Sequence, residues 1–212
     1  MSERPAGPGH PTTPPERLYF SGDDAADRLL AADPLALLIG FTLDQQVTLQ
    51  KAFSGPLELR RRIGPYDARR LAAMEPAALE AAFVTRPALH RFPAAMARRV
   101  QALAAAAVAD YDGDPRRIWS EAGDAADLKR RLLALPGFGE MKAGTIVALL
   151  AKRFGLALPG LAAALPGHPT LGDVDSYEAR DRYQAGKRAH KATLRAAQGA
   201  AGGRRDATSR AD

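Results

Sequence analysis

Apolar residues in this 212-residue chain recur every three or four positions and nowhere alternate over a sustained run, a pattern that builds helices and excludes a sheet. The clearest stripe is Met96, Val100, Leu103 and Ala107 within 93–111. Arg98, Arg99 and Gln101 lie off it, and Asp112-Gly113-Asp114 ends it. A second helix is predicted over about 124–134, with Leu128, Leu132 and Leu135 on one side. A third is predicted over 139–154, with Ala143, Val147, Leu150 and Phe154 in line. Shorter helices are predicted at 23–31, 34–44, 47–53, 67–74 and 76–84. Pro34 and Pro76 sit where a first helical turn tolerates proline, and Asp67 suits an N-cap. Residues 155–172 hold four glycines and three prolines and read as a long loop; a last helix begins near Ser176 and runs to about Gln198. Many short helices with short linkers indicate an all-α globule, not a coiled coil.

The two ends differ from the middle. Five of the 16 prolines fall in the first 15 residues, and 199–212 has nothing substantial to bury, so 1–16 and 199–212 read as disordered tails. The chain has no cysteine, which excludes disulfides, thiolate zinc sites, iron–sulfur clusters and cysteine nucleophiles. Its four histidines are too scattered to suggest a metal cage. Thirty Lys and Arg against 24 Asp and Glu give a charge of +6 and a pI near 9.9, which suits a polyanionic partner. No apolar run is long enough to span a bilayer, and Met-Ser-Glu-Arg-Pro does not open a secretory leader. A soluble, cytoplasmic monomer is expected.

The sharpest local signal is Leu135-Pro136-Gly137-Phe138-Gly139, set between two predicted helices. Two glycines around one apolar residue form a tight hairpin whose backbone N–H groups can approach a phosphate. The start of the next helix adds its positive dipole end, and Phe138 would anchor the turn by pointing inward. Such a loop grips a nucleic-acid backbone without reading bases. The plainer reading is an ordinary helix–turn–helix connection with a glycine C-cap.

The stretch LLALPGFGEMKAGTIVALL resembles the helix–hairpin–helix element of the HhH-GPD superfamily of base-excision DNA glycosylases. That superfamily is defined by the hairpin, a Gly/Pro-rich loop and a downstream catalytic aspartate. Their counterparts here are 135–139, 155–172 and Leu171-Gly172-Asp173-Val174-Asp175. Upstream, Leu43-Asp44-Gln45-Gln46-Val47 resembles the helix end with paired glutamines in the alkylation-repair members, and 90–108 resembles the helix before the hairpin element. The resemblance covers roughly residues 35–195. It implies two helical lobes around a DNA-binding cleft: a helical barrel at 45–154 and a second lobe combining 17–44 with 155–198. It also implies release of a damaged base from double-stranded DNA, with alkylated purines weakly favoured by the glutamine pair. A helix–hairpin–helix protein that binds DNA without chemistry is the alternative.

The resemblance also assigns roles. Breaking an N-glycosidic bond builds positive charge on the sugar, which a nearby carboxylate stabilises. Asp173 and Asp175 are both candidates. Asp173, directly after Gly172, fits the loop end and is preferred, whereas Val174-Asp175-Ser176 matches the family's apolar-Asp-Thr pattern. Either Asp175 or Ser176 could simply cap the last helix. Gln45 and Gln46 would probe the gap left by a flipped base. Pro136, Gly137, Phe138, Gly139, Met141, Lys142 and Lys51 complete the expected DNA contacts. Bifunctional members place a lysine two residues after the second hairpin glycine. Here that residue is Met141, so a monofunctional enzyme is expected. No cofactor is required, although hairpin carbonyls could hold a monovalent cation. The arginine pairs elsewhere read mostly as solvated faces, and Trp119 as core. Phe41, Phe53, Tyr66 and Phe92 are placed nearer the cleft.

Overall fold

The computed structural model describes residues 12–189 and 192–193, and these contain helices and no strand. Asp23 opens α1 (Asp24–Ala32) and Asp33 opens α2 (Pro34–Leu43), each accepting two backbone N–H bonds at its helix start. Every residue of α2 after Pro34 is buried, so this helix is apolar all round and forms the centre of its layer. It packs against α3 (Leu49–Ile63), which also receives α1. Next come α4 (Ala68–Ala73), capped by Asp67, and α5 (Pro76–Val84). Both lie on α6 (Pro93–Tyr111), which ends where Asp112 turns left-handed at φ 53°. After the four-residue α7 (Arg117–Ser120), α8 (Ala125–Leu133) and α9 (Glu140–Phe154) flank the Gly-rich hairpin. The four-residue α10 (Leu161–Ala164) and a 3-10 turn (Leu171–Asp173) lead into a final helix, α11, over 177–189. Ser176 caps α11, its Oγ accepting from Ala179 N at 3.1 Å.

The stripes predicted from spacing are the buried faces. Met96, Val100, Leu103 and Ala107 of α6, Leu128 and Leu132 of α8, and Ala143, Val147, Leu150 and Phe154 of α9 all join one continuous core with Trp119. Three predictions are corrected. The helix expected over 47–53 runs on to Ile63, straight through Gly55-Pro56. Proline forfeits a helical hydrogen bond there, but Ala52, Phe53, Pro56 and Leu59 are all buried, and Leu43 Cδ1 fills the space a Gly55 Cβ would need, at 2.4 Å. Packing therefore outweighs the local breaker. The loop predicted over 155–172 contains α10 and most of the 3-10 turn, and α7 was not foreseen. The tail at 199–212, the first 11 residues and the predicted end of the last helix near Gln198 lie outside the described residues. Thr13, within the expected N-terminal tail, donates its N–H to Phe154 O at 2.8 Å.

Two contacts hold the ends to the centre. Asp27 is fully buried and accepts from Phe20 N, Ser21 N and Ser21 Oγ at 2.8–3.1 Å, while Tyr177 of α11 donates to its other oxygen at 3.2 Å. One carboxylate thus joins the segment before α1 to the last helix. The second contact is the 3-10 turn on α9. A Cβ at Gly172 would lie 2.6 Å from Ala148 O and 2.7 Å from Ala148 C. No described helix is long and apolar enough to cross a membrane.

Gly172→Ala should therefore push the turn off rigid backbone, not off a yielding side chain. The expected cost is about 1–3 kcal/mol, seen in thermal unfolding as a fall of roughly 2–4 °C in Tm per kcal/mol. An unchanged Tm would show that the turn is free to shift.

Candidate nucleic-acid interface

The hairpin forms because Leu135, 3% exposed, and Phe138, 6% exposed, follow the end of α8 and pin both sides of the turn into the core. Phe138 N donates to Leu135 O at 3.1 Å, and Gly137 takes φ 79°, a conformation that favours glycine. Gly139 is different. It is the N-cap of α9 at φ −111°, which any residue adopts, and a Cβ there would meet nothing within 4 Å. No side chain caps α9, so its first N–H groups are left for solvent or a ligand.

Gly137, Gly139, Glu140, Met141, Lys142 and Gln45 line one open depression of about 410 Å³. Met141 is 79% exposed. Lys142 does not extend outward: its ammonium donates to Gly137 O at 3.3 Å and lies 5.2 Å from the Phe138 ring centre. A cationic group of the chain itself thus sits on the hairpin carbonyl, so the turn does not fit a bound monovalent cation. Among the described residues no cluster of His, Asp and Glu could hold a metal. Glu140 is paired with Lys129 at 2.6 Å, which offsets a carboxylate beside the open N–H groups.

Gln45 enters the depression from the end of α2. Its amide donates to Thr42 O at 3.0 Å and accepts from Arg99 of α6 at 2.6 Å. Gln46 is exposed and held at φ 56°, a left-handed conformation that costs a non-glycine residue on the order of 1 kcal/mol. Such strain tends to gather at functional sites. Lys51 is exposed on the first turn of α3 and acts on His90; it does not line the depression. Asp44, the C-cap of α2, is only partly exposed. Burial pushes its carboxyl up, while Lys187 of α11 and Lys142 pull it down. Burial pushes the Lys142 ammonium down to about 8. Asp44 opposes that shift and Arg99 adds to it. The charges of Asp44 and Asp173 both act on Tyr183, and Lys187 Nζ lies 5.3 Å from its ring centre.

The two candidate acids differ. Asp173 closes a capping box on the 3-10 turn: its Oδ2 accepts from Thr170 N at 2.8 Å and Thr170 Oγ1 at 3.1 Å, and its Oδ1 accepts from Lys152 Nζ at 2.6 Å. Burial pushes Asp173 up, but Lys152 and the Thr170 donors together outweigh it and leave the carboxyl below the usual range. Asp175 is exposed in the short link before Ser176. Of the aromatics placed near the cleft, Phe41 and Phe53 are core and Tyr66 donates to Pro56 O at 3.0 Å; Phe92 is 44% exposed.

Asp44, His90, Arg99, Tyr183 and Lys187 join this region without having been singled out. They come from four separate segments, and only Asp44, beside the glutamine pair, carried a local signal. No family model, no curated protein and no solved structure matches the chain.

A lysine titration by NMR should find Lys142 near 8. Asp44→Asn removes the anion that favours the ammonium, so the midpoint should fall further. A rise would show that Asp44 does not act on Lys142.

Proposed function

We propose that this chain is a base-excision DNA glycosylase. It would bind duplex DNA through the hairpin and hydrolyse the N-glycosidic bond of a flipped, damaged base, an alkylated purine being the favoured class. The observation that carries the proposal is Gly139. Neither its backbone angle nor any neighbour requires glycine, yet it stands at an uncapped helix start in the open depression shared with Gln45 and Lys142. An incoming phosphate explains that absence of a side chain, since backbone donors can grip it only at close approach.

Asp175 is the better catalytic candidate on electrostatic grounds. An ammonium 2.6 Å from Asp173 cancels much of the field that a developing sugar cation would feel, so Asp173 serves to hold the turn. In the reaction the C1′–N bond breaks with its electron pair leaving on the base. Water adds to C1′, and its proton is lost to solvent or the departing base. A carboxylate beside C1′ stabilises the cationic sugar between these events. Binding without chemistry is the second reading, favoured by the pairing of Asp173 with Lys152.

Gly139→Val has room for its Cβ, so it should fold, with about 1 kcal/mol lost to a poorer N-cap, while weakening duplex binding for all sequences alike. Unaltered affinity would remove the hairpin from the proposal. Asp175→Asn should slow base release from a panel of lesion-bearing duplexes by at least about a hundredfold. If Asp173→Asn is the inactive variant, the roles are reversed; release by neither variant nor wild type leaves binding alone. Borohydride should trap no covalent adduct with DNA, because Met141 stands where a lyase lysine would be. An adduct lost in Lys142→Ala would overturn monofunctionality.

A further inference from the structure

We propose that His90 is a positioning residue that clamps the Gln45–Gln46 loop to the Arg91–Phe92 loop, so that both meet DNA in one fixed relation. The inference rests on the DNA reading above. His90 is 1% exposed, and each ring nitrogen is committed to backbone from a different loop. Phe92 N donates to Nδ1 at 3.0 Å, so Nδ1 carries no proton. Nε2 therefore bears it and donates to Gln45 O at 2.7 Å. One neutral tautomer satisfies both bonds, and burial denies water the chance to replace either.

The loops need such a brace. Gln46 is held left-handed, and the Gln45 side chain depends on Arg99 from α6. On the other side, α6 begins at Phe92 without a side-chain cap, and Arg91 lies 4.8 Å over the Phe92 ring. Both loops present exposed groups, Gln46 and Phe92, beyond the buried imidazole.

Acid opens the clamp. Protonating Nδ1 would set two donors face to face at Phe92 N. The ring is held below the usual imidazole range chiefly by burial, with the charges of Lys51 on α3 and Arg91 acting the same way and the Gln45 and Leu43 carbonyls opposing them. Asp44 at the end of α2 and Arg99 on α6 are further charged groups beside the two loops, with Lys142 and Lys187 acting on Asp44. Since the folded-state value is depressed, the clamp is intact at neutral pH and is lost as pH falls through that value.

Two variants divide the clamp. His90→Asn keeps an acceptor where Nδ1 stands, His90→Gln keeps a donor where Nε2 stands, and neither titrates. In the free protein, NMR from about pH 8 to about pH 5 should find the Nε2–H tautomer. Amides of both loops should then shift together with the His90 midpoint. Duplex affinity at fixed salt should fall about tenfold through the same midpoint, the upper end of the scale for one neutral hydrogen bond. Both variants should bind more weakly at neutral pH and lack the acid loss. Amides that move in one loop only, or variants that keep the acid loss, would overturn the clamp. If wild type binds no DNA at neutral pH, the glycosylase reading fails, and the amide titration alone decides the clamp. Should a variant not fold, the wild-type titration carries the test.

Discussion

The arrangement depends on one place where two backbones touch. At Gly172 the 3-10 turn lies so near Ala148 that even a methyl group would overlap the carbonyl of α9. Backbone against backbone has none of the give of side-chain packing, so the turn's position along α9 is fixed. The same helix begins at the hairpin. A single rod thus carries the hairpin at its start and, nearer its end, the turn that leads to Asp175. Lys152, on the last turn of α9, reaches across to Asp173 and reinforces the joint.

The groove itself balances opposite charges in partial isolation from water. Asp44 is pushed toward its neutral acid, and Lys142 toward its neutral amine, because both lose hydration. Each also keeps the other from shifting further. A phosphate entering the depression would add an anion beside Lys142 and draw that amine back to its charged form. On the proposed reading, DNA binding would therefore draw a proton onto this residue.

Most of the scaffold was legible from spacing. The faces of α6, α8 and α9 follow from residues three and four apart, and the α4 cap at Asp67 and the Asp112-Gly113 stop of α6 follow from local chemistry. Gly55-Pro56 misled, because whether a breaker breaks depends on what surrounds it, and Leu43 is twelve residues away in sequence. In the site, the hairpin was legible, since its geometry is written in five consecutive residues. The partners of Gln45 were not. Arg99 and His90 reach it from 54 and 45 residues away, and nothing in the periodicity of either segment points toward α2. The Lys152 contact that sets Asp173 apart from Asp175, made across 21 residues, was likewise not legible.

Five helices in this fold open on an aspartate or threonine whose side chain closes the exposed donors: Asp23, Asp33, Thr48, Asp67 and Asp124. The chain therefore uses that device freely, and α9 is among the helices that lack it, opening on Gly139 as the four-residue α10 opens on Gly160. Serine or aspartate at that position would add about 0.5–2 kcal/mol of helix stability. It would also occupy the donors that an incoming phosphate needs. On the proposed reading, selection for a firmer fold and selection for grip on DNA would pull residue 139 in opposite directions, and the glycine there is what the second would leave.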